Sequence, residues 1–122
     1  MARILIIDDD KQVRSLFCKM LERDGHEVVE AEDGKKGLRR YGEGSFDLVV
    51  TDLVMPEKEG LELIMDLQQR NPGAKIIAVS GGGRTFEPEV FLRAAQGLGA
   101  IRAFTKPVDR QTFLDAVREL TT

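Results

Sequence analysis

The chain has 122 residues, of which 42% are apolar and 32% charged, with a formal net charge of −3. That length suits one domain around one core, and the composition excludes a disordered chain. The negative charge argues against direct nucleic-acid binding, which leans on a basic surface, and no stretch reaches the ~20 apolar residues that cross a bilayer. A single cysteine, Cys18, excludes an internal disulfide, and with the single histidine, His26, it cannot make a zinc site. Cys18 is expected to be a small helical residue and His26 a turn residue beside Gly25. No signal-peptide pattern opens the chain, so a cytoplasmic location with no membrane contact is expected.

Short apolar runs alternate with segments of helical period, the pattern of repeated βα units around a parallel sheet covered on both faces. The first strand is predicted at Arg3–Ile7, followed by a helix whose apolar stripe is Val13, Leu16, Phe17, Met20 and Leu21 and which Gly25 ends. The second strand is Glu27–Ala31; a short helix follows Asp33, a plausible N-cap, and runs to about Tyr41. A third strand, Leu48–Asp52, precedes a helix from about Leu61 to Arg70 that buries Leu63, Ile64 and Leu67 and stops at Asn71–Pro72. The fourth strand is Lys75–Ser80, with a helix from about Glu87 to Gln96 carrying Val90, Phe91, Ala94 and Ala95. The fifth is Ile101–Thr105, after which Asp109 opens a last helix with Phe113, Leu114, Val117 and Leu120 inside. The expectation is therefore an α/β fold, a doubly wound five-stranded parallel sheet forming one domain over residues 1–122. Neither a repeat nor a linker interrupts it, so any output element would belong to another molecule or to a segment outside this chain.

In such a sheet the carboxyl ends of the strands converge on the edge where ligands bind. The predicted ends place Asp8 and Asp9 after the first strand, Asp52 after the third, Ser80 after the fourth and Lys106 after the fifth. Adjacent carboxylates repel one another, so the run Asp8-Asp9-Asp10 asks for a cation. Capping of the first helix accounts for Asp9 or Asp10 but not for all the acids. An oxygen-only set suits a hard cation such as Mg²⁺, which keeps waters and a phosphate oxygen in its shell. A metal among carboxylates beside an ammonium and a hydroxyl is also what phosphoryl transfer needs. Asp52, alone at the end of VVTD, is the best nucleophile candidate, giving an acyl phosphate.

Four motifs in order, the DD pair, TDLVMPEKEG, the serine at the fourth strand end and GAIRAFTKP, closely resemble the receiver domains of two-component response regulators over the whole chain. The resemblance implies a flavodoxin-like sheet of strand order 2-1-3-4-5 with five helices. It implies Asp52 as phosphoacceptor, Asp8, Asp9, Asp52 and the backbone carbonyl of Val54 as Mg²⁺ ligands, Ser80 as the hydroxyl that reaches the phosphoryl group and Lys106 as its counter-charge. It suggests a cis bond at Lys106–Pro107. The implied function is phosphoryl relay and switching: the phosphoryl group comes from a phosphohistidine of a sensor histidine kinase or phosphotransfer protein, is lost to water, and controls a downstream protein target or an output domain. Such a domain is not a conventional enzyme, and phosphorylation-dependent homodimers occur within this scheme. Kinase docking usually uses the first helix and neighbouring loops, and readout the face of the fourth helix, fifth strand and fifth helix.

Two departures stand out. Ala103 occupies the position where the family commonly has a reorienting aromatic ring, and Phe104, one residue on, points to the opposite face of a strand and reads as core. The segment SGGGRTFEPE, Ser80 to Glu89, is longer than the usual loop, and its three glycines make it costly to order, so it is expected to be the most mobile segment. It lacks the GK[ST] ending of a nucleotide P-loop. An aspartate-based phosphatase would want a second acid at position 54, where Val54 stands. A flavin-binding sheet would want phosphate donors where this chain has acids. An unphosphorylated docking module remains the alternative, against which the complete acid–serine–lysine set counts.

Overall fold

The computed structural model describes residues 2–53, 59–80 and 88–122, apart from the side chains of residues 59 and 88–92. Elements alternate along the chain: β1 (Arg3–Ile7), α1 (Lys11–Arg23), β2 (Glu27–Ala31), α2 (Gly34–Gly42), β3 (Leu48–Asp52), α3 (Glu59–Arg70), β4 (Ile76–Ser80), α4 (Pro88–Leu98), β5 (Arg102–Thr105) and α5 (Arg110–Thr121). The five strands are all parallel, in the order β2-β1-β3-β4-β5. This is the expected doubly wound sheet, and the order reverses direction between β1 and β3, where such sheets open a crevice at the carboxyl ends.

Side chains alternate across a strand, so each central strand feeds two cores. Leu5, Ile7, Val49, Ile76 and Ala78 face one side, where Leu63, Ile64 and Leu67 of α3 and Ala95 of α4 cover them and Leu38 and Tyr41 of α2 pack alongside. Ile4, Ile6, Leu48, Val50, Ile77 and Val79 face the other, against Phe17, Cys18 and Leu21 of α1 and Phe113, Leu114 and Val117 of α5. With both faces covered, β1, β3 and β4 must be apolar almost throughout, as they are. Phe113 joins the two helices and β5: its ring lies 5.0 Å from Phe17 and 5.8 Å from Phe104.

Short polar side chains set the helix starts. Asp10 accepts from the N–H groups of Gln12 and Val13, Asp33 from Lys36 and Asp109 from Thr112, each satisfying donors that the first turn cannot. Gly25, at φ +91°, carries the chain out of α1 and into β2. Beside it His26 accepts the Ala2 N–H at Nδ1, a turn residue as expected, and Cys18 is a buried helical thiol.

Several boundaries differ from the sequence reading. β4 and β5 each start one residue later, at Ile76 and Arg102. α3 begins at Glu59, and α4 runs on to Leu98, because Gly97 is accommodated within the helix and Gly99, at φ +127°, is the residue that leaves it. Leu16 is 62% exposed rather than packed on the sheet, and Ala94 is exposed, both lying at the margin of their helix's apolar stripe. The expectations for Val54, for residues 81–87 of the glycine-rich segment and for the side chains of Val90 and Phe91 fall outside the described residues.

Candidate functional site

Ladder register brings the strand ends level. Ile7 pairs with Thr51, Asp52 with Val79 and Ser80 with Thr105, so Asp8, Asp52, Ser80 and Lys106 reach one edge. Backbone bonds hold the exits in place: Asp8 N–H donates to Ala31 O (3.2 Å), Leu53 N–H to Val79 O (2.9 Å) and Lys106 N–H to Ser80 O (2.9 Å). α3 approaches closely beneath this edge, since a Cβ on Gly60 would lie 2.5 Å from the Cα and carbonyl oxygen of Leu53. Only glycine lets the helix come so near the residue after Asp52.

Asp8 and Asp52 are buried and Asp9 is exposed, and the three offer carboxylate oxygens within 4.8 Å of one another. Asp10, the third acid of the run, turns away to cap α1, while its N–H donates to Asp8 Oδ1 at 2.9 Å. Lys106 Nζ donates to Asp8 Oδ2 at 3.0 Å and stands 3.5 Å from Asp52 Oδ1. Lys106–Pro107 is cis. Lys106 thus offsets part of the repulsion built into the acidic run, pairing with Asp8 of that run and with Asp52 across the buried edge.

Two further features bear on what the edge can hold. Ser80 is fully buried, yet its Oγ has no hydrogen-bond partner among the described residues, a hydroxyl with capacity to spare at a charged edge. Asp8, Asp9 and Asp52 form an oxygen-only set with two carboxylates fixed by burial, which suits Mg²⁺ rather than a softer metal. The residues therefore fit the cation expected of them.

Arg14 escaped the sequence reading. It donates from Nη1 to the Asp8 backbone oxygen at 2.7 Å and from Nε to Glu30 at 3.0 Å, tying α1 to β1 and β2 behind the acids. The available signal was a cation one residue from Val13, on the margin of the apolar stripe, one turn into the helix that follows the acids. Next to the site, Val13, Leu16, Phe17 and Met20 of α1 and residues Lys106–Val108 line an apolar groove of about 420 Å³, which accounts for the exposure of Leu16. Ala103 packs with the α3 and α4 side of the core, and Phe104 with Phe113 on the opposite side, so Phe104 is core, as expected.

Comparisons with known proteins agree with this geometry. The family described as the response regulator receiver domain matches residues 4–118. Transcriptional regulatory protein GlrR of Escherichia coli K12 is 34% identical over 116 residues, which cover 95% of this chain but 25% of that protein, so the chain spans about a quarter of that relative. Chemotaxis protein CheY of Bacillus subtilis is 35% identical over 118 residues, covering 96% of this chain and 95% of CheY. Among solved structures, response regulator TrrA of Thermotoga maritima, in complex with Mg²⁺-BeF, superposes with a TM-score of 0.82 at 28% identity, covering 98% of this chain and 99% of that one. By fold, by the convergence of acids, serine and lysine on one sheet edge, and by sequence, the chain belongs to the response regulator receiver domain family of two-component signalling.

Proposed function

We propose that this chain is the phosphoacceptor of a two-component pathway and that Asp52 carries the phosphoryl group. The observation that carries the reading is the position of the Asp52 carboxylate, 5% exposed, grouped with those of Asp8 and Asp9 and 3.5 Å from the Lys106 ammonium. A carboxylate oxygen of Asp52 attacks the phosphorus of a phosphohistidine. The P–N bond breaks, its electron pair stays on the imidazole nitrogen, and an acyl phosphate results. Water later attacks the phosphorus, releasing inorganic phosphate and restoring the carboxylate.

Asp8, Asp9 and Asp52, with the Val54 carbonyl as the remaining expected ligand, would hold Mg²⁺, which when bound neutralises charge on the phosphoryl oxygens. Lys106, already shared between Asp8 and Asp52, supplies the protein's own counter-charge. The Oγ of Ser80, without a partner among the described residues, can donate a hydrogen bond to the phosphorylated acid, which lets phosphorylation shift a conformational equilibrium. The upstream partner is a sensor histidine kinase or phosphotransfer protein docking on the groove along α1 beside Lys106. The downstream partner is a protein target or an output domain, and the reaction is self-catalysed transfer and hydrolysis rather than turnover of an outside substrate. The location that suits these partners is the cytoplasm; among the described residues no helix is long and apolar enough to cross a membrane.

Intact mass after incubation with acetyl phosphate, with and without Mg²⁺, tests this reading on the wild type and Asp52→Asn. One added phosphoryl group, dependent on metal and abolished by the substitution, is expected. Uptake by Asp52→Asn overturns the acceptor assignment, and no uptake under any condition leaves a docking module. Light scattering on the same samples reads whether phosphorylation pairs two copies.

A further inference from the structure

The chain as a whole carries a net charge of −3, yet α2 concentrates four cations, Lys35, Lys36, Arg39 and Arg40, in six residues, and all four are exposed. They form two adjacent i, i+4 stripes, 35/39 and 36/40, so they share one outer face while Leu38 and Tyr41 pack inward on the core. Lys36 is paired with Glu32, and Arg40 lies 3.8 Å from Glu43, both exposed pairs of the kind that contributes little and exchanges readily. Lys35 and Arg39 have no ion pair with any described residue. The same face continues into a recess of about 390 Å³ between the start of α1, the end of β2 and α2, where Lys11 adds a further exposed cation. Because β2 ends at the carboxyl edge of the sheet, this recess opens on the same edge as Asp8 and Asp9.

We propose that the outer face of α2 with its adjoining recess is a docking surface for a carboxylate-rich helix of a partner protein, separate from the apolar groove along α1. The cations repeat every four residues, at a separation of about 5–6 Å, which is the spacing at which a second helix presents acids at i and i+4. Acids interleaved with the cations, Glu32, Glu43 and Glu30, break the surface into discrete positive points, which suits a partner with separated carboxylates rather than a continuous run of phosphates. The inward packing of Leu38 and Tyr41 leaves this helix no exposed apolar face to sink into a lipid surface. Complementary charge of this kind acts mainly on association rate and partner choice, and it is sensitive to salt. The proposal stands independently of whether Asp52 accepts phosphate.

The test is an amide NMR titration of the unphosphorylated chain with a synthetic alanine-based helical peptide bearing glutamates at i, i+4. A scrambled peptide of the same composition, a 20-base-pair DNA duplex and phosphatidylglycerol vesicles run in parallel. The expected result is perturbation centred on Lys11 and residues 35–40, tighter for the helical peptide than for the other three. Affinity should fall about tenfold or more in the double variant Lys35→Glu/Arg39→Glu, as loss of close charge pairs dictates. An unchanged thermal unfolding midpoint in that variant shows that α2 still folds. Perturbation centred elsewhere, binding indifferent to the charge reversal, or equal binding of the scrambled peptide overturns the proposal. Tighter binding of DNA or vesicles through the same residues overturns the choice of a protein helix as partner.

Discussion

Two side chains carry most of what can be measured one residue at a time. Lys106 bridges Asp8, whose side chain is 3% exposed, and Asp52, at 5%, while its own is 20% exposed. Removing it strands two buried carboxylates beside each other. Lys106→Ala should cost about 1–3 kcal/mol in urea unfolding without metal, less than the roughly 3–5 kcal/mol of fully buried pairs because Lys106 reaches solvent. Millimolar Mg²⁺ should restore much of that loss. An unaltered midpoint without metal would mean the ammonium does not hold the acids together. The second side chain is Cys18, whose thiol burial chiefly, helped by Glu30 and Glu22, pushes up from 9.0 to about 12. A folded-state value above the unfolded one means that this contribution is intact below about pH 9 and is lost as pH rises toward 12. Iodoacetamide should therefore label the native protein far more slowly than the urea-unfolded chain at pH 8.5, because the thiolate is the nucleophile; equal rates would contradict the burial.

Among the elements, α1 and α3 set the site's geometry in different ways. Asp10 caps α1 from beside Asp8 and Asp9, so its substitutions separate capping from charge. Asp10→Asn keeps the cap and should be near neutral, whereas Asp10→Ala should lose about 1 kcal/mol. If Asp10 is a cap and no ligand, Asp10→Asn leaves Mg²⁺ affinity, read by titration calorimetry, close to the wild type, and a large drop would place it in the metal set. In α3 the close approach of Gly60 to the Leu53 backbone cannot absorb a methyl group without moving strand end or helix. Gly60→Ala should destabilise by about 1–3 kcal/mol and slow phosphate uptake together, since the displaced residue adjoins Asp52. A variant as stable as the wild type would show that α3 stands off more loosely than the described backbone places it.

For the whole molecule, α1 and α5 are tied at the sheet edge remote from the acids, where Arg118 donates from Nε and Nη2 to Asp24 at 2.9 and 2.5 Å. The bond from Arg118 holds the Asp24 carboxyl below its ordinary 3.8. Its contribution is present above that value and fades as pH falls through the lower folded one, so acid titration of stability should be shallower in Asp24→Asn, as followed by circular dichroism. Identical acid profiles would show that the pair contributes nothing. The strand runs, the βα alternation and the convergence of Asp8, Asp52, Ser80 and Lys106 were all legible from the chain. A strand buried on both faces must be continuously apolar, and a polar residue at its end must emerge at the edge. Helix ends were less legible, as Gly97 within α4 and Gly99 beyond it show, since propensity cannot say which glycine takes the positive φ. Periodicity placed Leu16 inside α1 because it sees only angle around the helix and not how far the neighbouring element reaches. Sequence order alone thus determined the class of fold and the residue types of the site, because both follow from local pattern. Local pattern also narrowed the helix cap to Asp9 or Asp10, and the structure chose Asp10. Only the tertiary structure decided that Lys106 bridges the two buried acids, because that depends on the distance between segments far apart in the chain.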